Sequence, residues 1–126
     1  MFSVIASPEY PPDENLVRDR AGRSWDRSFH PSGVARQLMA ILASGDRTKE
    51  LGRIQAPTQV IHGLSDRLIP VQGGKDTAAA IPGARLELIK GMGHDLPPGL
   101  WPRVIDLITA NIERAHDERS PAAAEA

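Results

Sequence analysis

Two short apolar runs, each closed by a glycine and separated by an alanine-rich stretch, constrain this chain more than any other feature. Thr58 to His62 holds the adjacent pair Val60 and Ile61 and ends at Gly63, the pattern of a buried strand. Val71 to Ile81 is alanine-rich and stopped by Pro82-Gly83, which predicts a helix. Arg85 to Lys90 sets Leu86 and Leu88 to one side and Arg85 and Glu87 to the other, a strand with one partly solvated face, as at a sheet edge. Strand, helix, strand in that order is a βαβ unit. Its strands, near 58–63 and 85–90, must run parallel, and the crossover is right-handed. The fold class expected is therefore α/β.

Helices flank this unit. Val34, Leu38, Ile41 and Leu42 share one face of a helix near 32–44, with Ser32 as its expected N-cap and Ser44-Gly45 as its stop. Buried packing is the expected use of Val34, Leu38, Met39 and Trp25, ahead of lining a pocket. A short helix follows from Thr48 to Ile54, ended by Pro57. Leu100, Val104, Leu107, Ile108 and Ile112 form one stripe of a helix near 100–115, where Pro102 is tolerated in the first turn. Residues 1–30, with Pro8, Pro11, Pro12 and a cluster of charges, predict an irregular or loosely helical lead-in. The tail, 116–126, lacks apolar anchors and is expected to be disordered.

Two residues sit where such a sheet does chemistry. Asp66 lies just past the glycine that closes the first strand, and His94 follows the second strand across Gly91-Met92-Gly93. Ligands and catalytic groups gather beyond the carboxyl ends of parallel strands, so neighbouring strands deliver both residues to one rim. Their separation of 28 positions is what one loop, one helix and one strand require. A carboxylate on one ring nitrogen fixes the tautomer that lets the other act as a general base, and steadies the imidazolium that forms. The glycines beside His94 are expected to leave room for its ring and to permit unusual backbone angles. Taken alone, Asp66 is as well read as a turn or cap residue; the pairing raises both residues together. His62 is read as structural, and His30 and His116 are given no role.

The string Ala56-Pro57-Thr58 through His62-Gly63, Asp66 to Pro70, Ile81-Pro82-Gly83-Ala84 and Gly93-His94 resembles the C-terminal portion of the α/β-hydrolase superfamily. Pro31-Ser32-Gly33-Val34-Ala35-Arg36-Gln37 is similar to the end of the helical cap in small ester and lactone hydrolases of the aclacinomycin methylesterase type. The resemblance implies a partial α/β-hydrolase fold: a cap-domain remnant over 1–45 and the C-terminal part of the core over 46–115. It makes Asp66 the triad acid and His94 the base. The family orders its triad nucleophile, acid, histidine, so the nucleophile should lie upstream of Asp66. None of Ser3, Ser7, Ser24, Ser28, Ser32 and Ser44 has a glycine two places away on both sides. Ser65 comes nearest, but Arg67 stands where the second glycine should be. The oxyanion loop is missing as well, so negligible hydrolysis is expected from this chain alone.

Composition closes several other routes. The chain has no cysteine, which removes disulfides, thiolate metal sites and a cysteine nucleophile together. The histidines lack metal-ligand spacing, so neither a metal nor any other cofactor is expected. Gly73-Gly74-Lys75 lacks the first glycine of a phosphate loop, and Leu96 replaces the third glycine of a dinucleotide fingerprint begun at Gly91. A net charge of −1 gives no reason to expect nucleic acid or an anionic membrane. Met1 to Pro12 does not read as a signal peptide, and a cytoplasmic protein is expected. The partner expected is a small ester or lactone. The competing reading is a non-catalytic binding module on the same scaffold, self-associating through an unpaired strand edge. Dehalogenases and epoxide hydrolases, a third possibility, need an aspartate at the upstream elbow, which is absent.

Overall fold

The computed structural model describes residues 2–118, with side chains from Val4 onward. Its centre is the βαβ unit. Strand β1 (Gln59–Gly63) pairs in parallel with β2 (Arg85–Ile89), in a register that sets Gln59 opposite Arg85 and Gly63 opposite Ile89. Helix α5 (Val71–Ala80) makes the crossover. Gly83, at φ +70°, turns the chain back into β2, a backbone angle that glycine adopts without steric cost.

Both faces of the sheet carry a helix. The His62 ring lies against Gly74 of α5, while Ile61 packs toward Ile89, Leu100 and Val104. Leu100 closes a 3₁₀ turn, Pro98–Leu100, that leads into helix α6 (Trp101–Asp117). The odd-numbered face of β2 is solvated only in part, at the exposed Arg85. It carries Ile89, fully buried, and Glu87, which pairs with Arg103 on α6. Beyond Arg85 this face is covered because α6 returns across it.

Polar bonds fix α6 at the end of the sheet away from the rim that carries Asp66 and His94. Arg114 donates to the carbonyls of Thr58 and Gly83 at 3.1 and 3.2 Å, and Asn111 donates to that of Pro57 at 3.0 Å. The buried side of α6 thus runs through Val104, Leu107, Asn111 and Arg114, with Ile108 and Ile112 left exposed. The expected stripe is rotated by these polar anchors, and the helix continues to Asp117. Residues 119–126 of the expected tail lie outside the described residues.

The N-terminal third departs most from expectation. After a single turn, α1 (Phe2–Ile5), the lead-in forms a regular helix, α2 (Glu14–Arg27). Asp13 caps it by accepting from the amides of Asn15 and Leu16, and Asp19 pairs with Arg23 one turn on. Helix α3 (Pro31–Ser44) begins with His30 as N-cap and Pro31 inside the first turn. Ser32 is not the cap; its hydroxyl instead accepts from Arg36. A final short helix, α4 (Thr48–Leu51), precedes β1, shorter than the span to Ile54 expected for it.

No residue of α2 or α3 is buried, and Val34, Leu38, Met39, Ile41 and Leu42 stand exposed, Val34 by 75%. The expectation of buried packing for this face, and for Trp25, is overturned. The periodicity that forms the helix is present, but no second layer lies against it among the described residues. Trp25 and Phe29 stack on each other with ring centroids 3.9 Å apart. The aromatic residue that joins the core from this region is Tyr10. No helix among the described residues is long and apolar enough to cross a membrane.

Candidate active site

Parallel pairing carries the ends of β1 and β2 to the same rim, and backbone bonds then join the loops that leave them. The amide of Leu64 donates to the carbonyl of Ile89 at 2.9 Å, and that of Ser65 to the carbonyl of Met92, also at 2.9 Å. A side chain on Gly63 would strike the Met92 carbonyl, so glycine there lets the two loops touch.

Asp66 divides its two oxygens between two tasks. Oδ1 accepts from the amides of Leu68 and Ile69 at 2.8 and 2.9 Å, closing the turn that leads to α5. Oδ2 faces Nδ1 of His94 at 2.9 Å. One oxygen thus serves the turn and the other faces the imidazole. The carboxylate is 6% exposed and the imidazole 40%. Partial burial pushes the Asp66 pKa up, but the Ile69 amide, the His94 ring and the Leu68 amide together outweigh it and hold the carboxyl below its usual range.

The tautomer follows. A carboxylate can only accept, so His94 presents N–H at Nδ1, and in the neutral ring Nε2 keeps its lone pair. That nitrogen can take a proton from a hydroxyl or from water.

His62 supports the loop of Asp66. Its Nε2 lies 3.1 Å from the Ile69 carbonyl, to which it donates, and 3.9 Å from Oδ2 of Asp66. It tethers the loop whose amides hold the carboxylate.

The histidine turn is held from an unexpected quarter. Residues 5–10 lie along residues 91–95: the amide of His94 donates to the Ile5 carbonyl at 2.8 Å, and that of Gly93 to the Ser7 hydroxyl at 2.8 Å. Ser7 in turn donates through its amide and its hydroxyl to Oδ1 of Asp95, at 2.8 and 2.6 Å. Ser7 is 1% exposed. Its hydroxyl is fully engaged, proton toward Asp95 and lone pair toward Gly93, so it is not poised as a nucleophile for His94. The glycines owe their place to this contact rather than to the imidazole. A Cβ on Gly93 would come within 2.5 Å of the Ile5 carbonyl oxygen, and Gly91, at φ +71°, lies against Glu9. Sequence reading missed Ser7 and Asp95; the glycine bracket was the one sign that something approaches closely.

Beside this turn opens a cleft of about 780 Å³, walled by Ile5 and Ala6, by α2 through Leu16 and Trp25, and by Leu96 and Pro97. Trp25 and Val34 border it, whereas Leu38 and Met39 do not. Its lining is mostly apolar, with Arg20, which also lies over the Trp101 ring, at its wall. Among the described residues no three of His, Cys, Asp and Glu converge to hold a metal ion.

The parallel βαβ unit thus presents a carboxylate and an imidazole at one rim, in hydrogen-bond contact. Comparison with known proteins finds partial matches to hydrolases and a chloroperoxidase. The chain is 30% identical over 82 residues to 2-hydroxy-6-oxononadienedioate/2-hydroxy-6-oxononatrienedioate hydrolase 2 of Pseudomonas putida, covering 64% of this chain and 29% of that protein. Against the corresponding hydrolase of Klebsiella pneumoniae it is 28% identical over 95 residues, 75% of this chain and 33% of the relative. Against the non-heme chloroperoxidase CPO-A1 of Kitasatospora aureofaciens it is 35% identical over 52 residues, 40% and 19% of the two chains. No family model matches the chain. The relatives are members of the α/β-hydrolase superfamily, and the partial matches support a hydrolase-like origin. The chain spans between 19% and 33% of the length of these relatives.

Proposed function

We propose that this chain provides the acid and the base of a serine hydrolase acting on carboxylic esters or lactones, with Asp66 as acid and His94 as base. The observation that carries the proposal is the 2.9 Å contact from His94 Nδ1 to Asp66 Oδ2, which leaves Nε2 able to accept a proton. In the reaction, Nε2 takes the proton of an attacking serine hydroxyl, and the ester carbonyl carbon becomes tetrahedral. His94 then returns that proton to the departing alkoxide. Water, deprotonated by the same nitrogen, attacks the acyl-serine to release the carboxylic acid and restore the serine, while Asp66 stays ionised throughout. In this reading the nucleophile and the oxyanion donors come from a polypeptide segment other than the described residues, and the chain by itself is inactive. Residues 1–45 then belong to the cap side and 46–115 to the C-terminal end of the core. The proposal sets the protein in the cytoplasm, since a cysteine-free chain asks nothing of an oxidising compartment.

A chimera tests the proposal. Residues 46–115 replace the matching segment of the Pseudomonas putida relative, and turnover of p-nitrophenyl butyrate is followed. Activity that falls on the order of 10³-fold or more with His94→Ala, and also falls with Asp66→Asn, supports the reading. A folded chimera whose activity ignores both substitutions would overturn it.

A second reading rests on a separate observation. Trp101, Ile105, Ile108 and Ile112 form an exposed apolar stripe on α6, and β1 has one unpaired edge among the described residues. These features suit self-association of a non-catalytic module. An oligomer that keeps its ligand affinity after His94→Ala would favour it.

A further inference from the structure

From the contacts of Ser7 we infer that Ser7 and Asp95 are positioning residues for His94, acting by hydrogen-bond acceptance rather than by charge. This rests on the reading of Asp66 and His94 as an acid–base pair. His94 is held through three consecutive residues. The Gly93 amide ends on the Ser7 hydroxyl, the His94 amide on the Ile5 carbonyl, and the Asp95 carboxylate on both donors of Ser7. The segment that supplies these partners stands 86 to 89 positions upstream.

The His94 side chain itself has a looser setting: it is 40% exposed and Asp66 is the protein partner of its ring. An exposed imidazole keeps a 2.9 Å bond only if its backbone is placed for it. The Ser7 hydroxyl is the pivot, because it both accepts from Gly93 and donates to Asp95. Removing it strands a buried amide and takes a donor from Asp95 in one step.

The chemistry separates charge from acceptance. Both donors of Ser7 end on the same oxygen, Oδ1 of Asp95. An asparagine with its carbonyl oxygen in that place accepts both and carries no charge. Asp95→Asn therefore keeps the arrangement, whereas Asp95→Leu and Ser7→Ala lose it.

The test reads the His94 Nδ1 proton by NMR in the full chain, with His94→Gln to assign the signal. A proton held on a carboxylate exchanges slowly with water. The loss of about one hydrogen bond, roughly tenfold in an equilibrium, sets the scale expected for faster exchange in Ser7→Ala and Asp95→Leu. Asp95→Asn should stay within about twofold, and amide protection in α6 reports whether each variant is folded. Exchange unchanged in folded Ser7→Ala would overturn the inference, as would Asp95→Asn behaving like Asp95→Leu. Should Ser7→Ala fail to fold, the two Asp95 variants decide the matter between them. Failure of the underlying pair is separately visible: the wild-type chain would then show no protected Nδ1 proton, or one that Asp66→Asn leaves untouched.

Discussion

Gly93→Ala isolates the contact between the N-terminal segment and the histidine turn. Gly93 is not among the glycines with positive φ, so alanine meets no conformational penalty there and the effect is steric. The added Cβ would lie 2.5 Å from the Ile5 carbonyl oxygen and 2.7 Å from the Ala6 carbonyl carbon and oxygen. These are backbone atoms with no rotamer to yield, so the two segments must separate. Separation costs the Gly93-to-Ser7 and His94-to-Ile5 bonds, both 2.8 Å. At about 1 kcal/mol net for each bond, and more where a buried amide is left unpaired, the loss should be roughly 2–3 kcal/mol. That is a large share of the roughly 5–15 kcal/mol that stabilises an ordinary domain. Urea unfolding gives the total, and amide exchange at His94 gives the local part. Gly99→Ala is the control: its Cβ meets only Tyr10 Cδ1, at 3.3 Å, and a ring that can tilt should keep the cost below about 1 kcal/mol. A Gly93→Ala chain with the wild-type midpoint and a protected His94 amide would refute the docking of residues 5–10.

Other substitutions probe separate links. Gly22→Ala, in exposed α2 with nothing within 4 Å of the new Cβ, should raise stability by about 0.5–1 kcal/mol in the same urea assay. Gly74→Ala puts a Cβ 2.7 Å from His62 Cγ and Nδ1. The ring must swing away from the Ile69 carbonyl, at roughly 1–3 kcal/mol, and the resonances of the Leu68 and Ile69 amides should shift with it. The pH dependence follows from Asp66, whose pKa is held low in the folded chain. Its contribution is fully present above the unfolded carboxylate value of about 3.9, and is lost as pH falls through the lower folded value. Urea midpoints of wild type and Asp66→Asn should therefore differ by a constant amount above about pH 5 and converge in acid.

The βαβ unit was legible because its evidence is local. Val60-Ile61 with a closing Gly63, and Pro82-Gly83 before Arg85, mark strands and turns within a few residues, and parallel pairing follows from connectivity alone. The meeting of Asp66 and His94 followed from the same topology. The N-terminal segment could not be read this way. Its partners lie more than 80 positions downstream, and its key residue, Ser7, shows no periodicity and no motif. Helix α2 was hidden by its charges, although Pro11-Pro12-Asp13 is a sound helix start. The faces of α3 and α6 show the limit of amphipathic patterns. Apolar periodicity identifies a helix, but which side is covered depends on what lies beside it, and Arg114 and Asn111 turned α6 away from the expected stripe.

The most direct measurement is the tautomer of His94, read from the two ring nitrogens by ¹⁵N–¹H correlation in the neutral imidazole. The proton should reside on Nδ1, held by Asp66, with an unprotonated Nε2, and Asp66→Asn should abolish that preference. A proton on Nε2, or an averaged ring indifferent to Asp66, would mean that the two residues are neighbours without being an acid–base pair.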